Sequence, residues 1–294
     1  MSYKLFSNLS EDQIESDVAS FLGYVTPFWS SRFRLMSVDE QITGADKLFD
    51  RFVPIYLQFK VSEGLKPISP PELPKFNVPL QRVRKLRFDN GLTGDPILYF
   101  KLREKAKTAT EFQHNLLLQF HKPPRQFAFY VAPLTLDINE YNELLKVSLF
   151  ERLIIADPFR VHPSDIYHRG FKESLGTIPF LRAHVSIPPF EKVTSAEHHY
   201  SFSKNGADIA WHRGVRQYGD FRLSTQIPAI FRTAYNNDRV AFSKQEFVET
   251  FNETDFGVND SNENIDRKIY NFANFLYSNF RIRLFLLGIN ERSF

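Results

Sequence analysis

Between residues 54 and 61 the chain reads Pro-Ile-Tyr-Leu-Gln-Phe-Lys-Val. Ile55, Leu57, Phe59 and Val61 alternate with Tyr56, Gln58 and Lys60. An extended strand therefore carries one wholly apolar face, which must lie on a core, and one polar face. Residues 46–61 are expected to form a β-hairpin with this segment as its second arm. Helix-period segments stand on either side. Ser10 and Gln13 have capping-box spacing, and Ile14, Val18, Phe21 and Leu22 then share one face, so a helix is expected over 11–22. Alternation of Phe33 and Leu35 with Arg32 and Arg34 predicts a strand over 32–38.

The same signals continue along the chain. Strands are expected at 97–103, 126–133, 198–204 and 281–288. Helices are expected at 110–121, from the Asp137 cap to about 152, after the Ser243/Glu246 capping box, and at 265–280. Five prolines between Lys66 and Pro79 predict an extended loop. Interleaved helices and strands imply an α/β or α+β protein. Thirty-one Phe against two Trp and two Met point to a Phe-rich core. A base-stacking platform is the alternative, with Tyr200 and Trp211 near Arg213 and Arg216 as its candidates.

Exclusions are broad. With no cysteine, disulfides, thiolate metal sites and cysteine nucleophiles are all ruled out. No GxGxxG, GxxxxGK[ST] or GxSxG segment is present. No HxxxH or HxH pair exists. His198 and His199 are adjacent, so a strand points them to opposite faces, which does not suit one metal ion. His114 falls on the helix after the expected hairpin, within reach of its end. No run approaches the roughly 20 apolar residues that span a bilayer, and no secretory h-region opens the sequence, so a cytoplasmic protein is expected. The net charge of +3 is mild. Its concentrated part is Lys75, Arg82, Arg84, Lys85 and Arg87, which is either a solvated surface segment or a flap that contacts backbone phosphates.

Residues 39–60 carry the chemistry. A hairpin turning about residue 52 sets Asp46 opposite Gln58, with Lys60 further along the same face. Glu40 precedes Asp46 across the Thr43-Gly44 turn. Two carboxylates, a carboxamide and an ammonium then meet at one end of a sheet. Hard Mg²⁺ takes a few carboxylate or carbonyl oxygens plus water. Asp46 and Glu40 are the anionic candidates, and the Phe59 carbonyl is the neutral one. Lys60 is placed to orient an attacking water or stabilise the transition state of phosphodiester hydrolysis.

This stretch resembles the PD-(D/E)XK nuclease superfamily, the restriction-endonuclease-like fold. The matching residues are Asp46 and then Gln58-Phe59-Lys60, within an E-x-x-TGAD…QxK form. The resemblance implies an αβββαβ core with a mixed central sheet over residues 1–135, with an insertion at 62–107. Residues 136–294 are then an α+β extension for recognition, regulation or oligomerisation. It implies a Mg²⁺-dependent endonuclease acting on DNA, with Mn²⁺ able to substitute, in bacterial restriction or anti-phage defence. Homo-oligomers or a partner protein fit such a role, and a membrane does not. Gln58 departs from the usual acidic residue. A further helix carboxylate of the family corresponds to Glu40, or else to Glu15. The alternative is a nuclease fold that has lost its chemistry and serves as a binding scaffold.

Overall fold

The computed structural model describes residues 2–25, 33–38, 49–69, 78–92, 94–105, 111–155, 179–212, 216–252 and 264–289. Its first half contains β1 (Lys4–Leu5), α1 (Glu11–Val25), β2 (Phe33–Ser37), β3 (Arg51–Phe59), β4 (Glu63–Leu65), α2 (Pro79–Asp89), β5 (Ile97–Lys101), α3 (Gln113–Phe120) and β6 (Phe127–Pro133). Then come α4 (Ile138–Ile155), α5 (Pro179–Arg182), β7 (His184–Ile187), β8 (His199–Ser203), β9 (Asp208–Trp211) and β10 (Arg216–Tyr218). The remainder is α6 (Leu223–Asn236), β11 (Phe242–Ser243), α7 (Lys244–Asn252), α8 (Ile265–Phe280) and β12 (Arg283–Ile289). The fold is mixed α/β. Among the described residues no helix is long and apolar enough to cross a membrane.

Side chains fix where several helices begin. Ser10 Oγ accepts from the Gln13 amide at the start of α1 (3.2 Å). Asp137 Oδ1 accepts from the amides of Asn139 and Glu140 at the start of α4. Ser243 and Glu246 exchange both bonds of a capping box before α7. The basic run, by contrast, is helical from Pro79 onward. Proline is pre-shaped for the first helical position, where its missing N–H is not needed.

Among the described residues the strands form two sheets. One is antiparallel throughout, in the order β1-β4-β5-β8-β9-β10. The other runs β2-β12-β3-β6-β7, with β11 pairing the start of β3. Only β3 and β6 are parallel in it, and α3 lies on the chain between them. One face of this mixed sheet presents Val53, Ile55, Leu57 and Phe59 to Ile14, Val18, Phe21 and Leu22 of α1. The opposite face presents Phe52, Tyr56 and Tyr130 to Phe100, Tyr200 and Phe202 of the antiparallel sheet, with Phe120, Phe251 and Phe272 of the helices closing the layer. β3 is buried on both faces. Its polar row is therefore not a solvent face, although alternation alone predicted one.

Three expectations are corrected. First, no hairpin turns at residue 52. β3 is continuous from Arg51 to Phe59, and Phe52 and Val53 pair with Gly288 and Leu287 of β12. Arg51-Phe52-Val53 holds none of the residues that favour a tight turn, and Phe and Val favour the extended chain. Second, the partner of β3 is β12, and β12 also pairs β2. A strand interior to the sheet is thus supplied from the far part of the sequence. Gly288 makes this possible, because a Cβ there would collide with the Phe49 ring. Third, residues 1–135 are not a separate body, since both sheets draw strands from both sides of residue 135.

Candidate active site

Gln58 sits opposite Tyr130 of β6, near the end of β3. It is 1% exposed, and neither its Oε1 nor its Nε2 has a hydrogen-bond partner among the described residues. Leaving a buried amide unmet costs about 1–3 kcal/mol. Its neighbours are polar only at their tips. The Tyr130 hydroxyl lies 2.9 Å from His114 Nδ1, and His114 Nε2 lies 2.8 Å from the Glu191 carbonyl. His114 thus approaches this end of the sheet through Tyr130. Burial pulls the His114 pKa down to about 4, so its ring is neutral at pH 7.

Lys60 follows directly. Its amide donates to the Val131 carbonyl (2.9 Å) and extends the parallel ladder. The ammonium is buried and lies 3.3 Å from Glu11 Oε1 on α1. Burial lowers the Lys60 pKa, the Glu11 charge raises it, and the Arg103 charge lowers it again. The net direction is down. One helical turn further along α1, the Glu15 carboxylate accepts two bonds from Arg283 of β12, at 2.8 Å from Nε and 2.5 Å from Nη2. Arg283 also bonds Ser37 Oγ and lies over the Tyr277 ring. Two charge pairs therefore lock α1 onto β3 and β12.

No family model, curated protein or solved structure matches the chain. The site is read from its own chemistry.

Asp46 and Glu40 lie outside the described residues, as does Lys75. With β3 unbroken at residue 52, the hairpin register that set Asp46 opposite Gln58 does not exist. Phe59 is in register with Val131 on β6, and its side chain belongs to the α1-side core. Glu15 is committed to Arg283. Among the described residues no group of three or more His, Asp or Glu side chains is placed to hold a metal ion. Gln58 Oε1 is a buried neutral oxygen without a hydrogen-bond partner among the described residues, of the kind a hard cation or its bound water takes. Anionic ligands would have to come from Glu40 and Asp46.

The basic run divides in two. Arg84 is buried and donates to the carbonyls of Lys66 (2.6 Å) and Pro67 (2.9 Å) and to Gln81 Oε1 (2.8 Å). Arg87 is fully buried and pairs with Asp208 of β9 at 2.7 Å. These two arginines fasten α2 to the rest of the fold and do not face a nucleic acid. Arg82 is exposed and Lys85 is half-buried, with Lys85 paired to Asp89 at 2.7 Å. Tyr200 and Trp211 are fully buried, so they are core residues and not a base-stacking platform. Trp211 is stacked between the rings of His198 and His114. Sequence reasoning missed Glu11 and Arg283. Glu11 was visible as an acid four residues before Glu15 on one helix face, but its partner, Lys60, was not.

Proposed function

We propose that the chain is a metal-dependent nuclease of restriction-endonuclease-like fold that hydrolyses DNA phosphodiester bonds at the end of β3. The observation that carries this reading is an unpartnered, buried Gln58 amide near the end of β3, the central strand of the mixed sheet, with a buried Lys60 just past that end. The cost of such an amide is tolerated where it serves a function. The chain order from α1 to β6 is α1, β2, β3, β4, α2, β5, α3, β6, with β4 and β5 in the other sheet; the parallel pairing of β3 with β6 is what supports the resemblance.

In this mechanism Asp46, Glu40 and the Phe59 carbonyl would hold Mg²⁺. The ion, when bound, supplies Lewis-acid stabilisation of the phosphoryl oxygens and lowers the pKa of bound water. The chain's own groups do the rest. The Gln58 amide orients water or a phosphoryl oxygen. Lys60 holds its proton less firmly than a free lysine, which suits it to position the attacking water and share its proton. Glu11 keeps the ammonium in place. Arg82 and Lys85 remain as backbone-phosphate contacts.

The test is cleavage of supercoiled and linear DNA with Mg²⁺ or Mn²⁺ by wild type, Lys60→Ala and Asp46→Ala, each checked for folding. Cutting by wild type alone is expected. Equal cutting by all three refutes the site. No cutting, with DNA binding that ignores Asp46→Ala, favours the scaffold reading. The Glu11–Lys60 and Glu15–Arg283 pairs favour that second reading, since they occupy charges that a working site uses.

A further inference from the structure

Just beyond the last residue of β6, a second cleft of about 320 Å³ opens between α4, α5 and the start of α6. Gln58 and Lys60 do not line it. The size is at the lower end of the range for small-ligand pockets, roughly 300–1,000 Å³. Its apolar wall is Leu134, Leu144 and Pro179. Among the described residues its charged lining is Arg182, Lys204 and Arg222, with the carboxylate of Glu140.

That carboxylate is already engaged. Glu140 accepts from Thr135 Oγ1 (2.5 Å) and lies 3.3 Å from Lys204 Nζ. Arg222 donates from Nε and Nη2 to the Asn205 carbonyl (3.1 and 2.6 Å) and lies 4.0 Å from Asp220. The exposed Arg182 has no hydrogen-bond or ion-pair partner among the described residues. With Glu140 beside Lys204 and Asp220 beside Arg222, the charge left unbalanced among the described residues of this concave site is that of Arg182. Such a site concentrates positive potential and raises the local level of anions. A guanidinium fork matches phosphate geometry better than a point charge does.

We propose that this cleft binds a phosphomonoester carried on an organic body. Arg182 and Lys204 take the phosphate, Arg222 adds charge from the far side, and the Leu134–Leu144–Pro179 wall receives the body. The Arg182 fork calls for an oxyanion that accepts two bonds, and the apolar wall calls for more than a free ion. The proposal does not depend on the nuclease reading.

Calorimetric titration of the full chain tests it. The probes are inorganic phosphate, adenosine, adenosine monophosphate, and one oligonucleotide with and without a 5′-phosphate. Adenosine monophosphate is expected to bind more tightly than either adenosine or inorganic phosphate. Arg182→Gln with Lys204→Gln is expected to weaken it at least tenfold, while Lys146→Gln, on the same helix as Glu140 but outside the cleft, leaves it unchanged. Binding of the 5′-phosphorylated oligonucleotide alone would also support the proposal and would place the ligand at a nucleic-acid end. Three results would overturn it: no phosphorylated probe binds, the unphosphorylated probes bind equally well, or the folded double variant binds like wild type.

Discussion

Gln58→Met separates stability from function in one substitution. The Gln58 amide is 1% exposed, and both of its polar atoms are unpartnered among the described residues. Folding strips water from that amide without replacing its hydrogen bonds, at about 1–3 kcal/mol. Methionine has a similar length and volume and brings no donor or strong acceptor. It can follow the same path between Tyr56 and the Tyr130 face without opening a cavity. The expected result is a stabilisation of about 1–3 kcal/mol, read from urea unfolding as a higher midpoint at unchanged slope. In the same preparation, the proposed function expects metal-dependent cleavage to fall, because it assigns to this amide the orienting of water. A loss of 1 kcal/mol or more would refute the reasoning, since it would mean that the amide has partners in solution. Stabilisation with full cleavage would keep the thermodynamics and remove Gln58 from the site.

Further outcomes follow from other buried groups. His114, His184 and His199 are each held down to a pKa of about 4, chiefly by burial. Their unfolded value is about 6.5, so between these limits the unfolded chain binds more protons. Stability is then full above pH 6.5 and falls toward pH 4 by about 1.4 kcal/mol per pH unit for each ring; urea midpoints between pH 7 and 4.5 should show it, with a shallower slope in His184→Phe. Arg87→Leu leaves Asp208 buried beside Ser203 without its cation, and should cost about 3–5 kcal/mol. Arg82→Ala, on the exposed side of the same helix, should stay within about 0.5 kcal/mol by the same assay. Glu11→Gln removes the charge that opposes burial at Lys60, so the Lys60 pKa should drop further, which ¹⁵N NMR titration of the side chain would detect as an earlier deprotonation.

Local signals in the sequence were dependable where the physics is local. Ser10, Asp137 and the Ser243/Glu246 pair cap helices because each bond closes within three residues. The apolar row of Ile55, Leu57 and Phe59 does face a core. Legibility failed where the deciding partner is remote. Nothing near Tyr56 or Gln58 announces that their face is covered by a second sheet. Charge counting placed Arg84 and Arg87 on a solvated surface segment or a phosphate-contacting flap, because Asp208 and the Lys66 and Pro67 carbonyls are paired to them only in three dimensions. Pro228 hid α6, since proline usually ends a helix. The candidate site was legible as a motif, Gln58-Phe59-Lys60. Its lock, Glu11 with Lys60 and Glu15 with Arg283, was not, because it joins α1 to β3 and β12.

The position of β12 between β2 and β3 has a consequence for synthesis. Until Arg283–Ile289 has left the ribosome, β2 and β3 have no partner between them, and each presents an open edge of unpaired N–H and C=O groups. Pairing across such a span makes closure slow. A nascent or truncated chain that stops at residue 135 is therefore a sticky intermediate, whose fate is decided by holding chaperones or by aggregation.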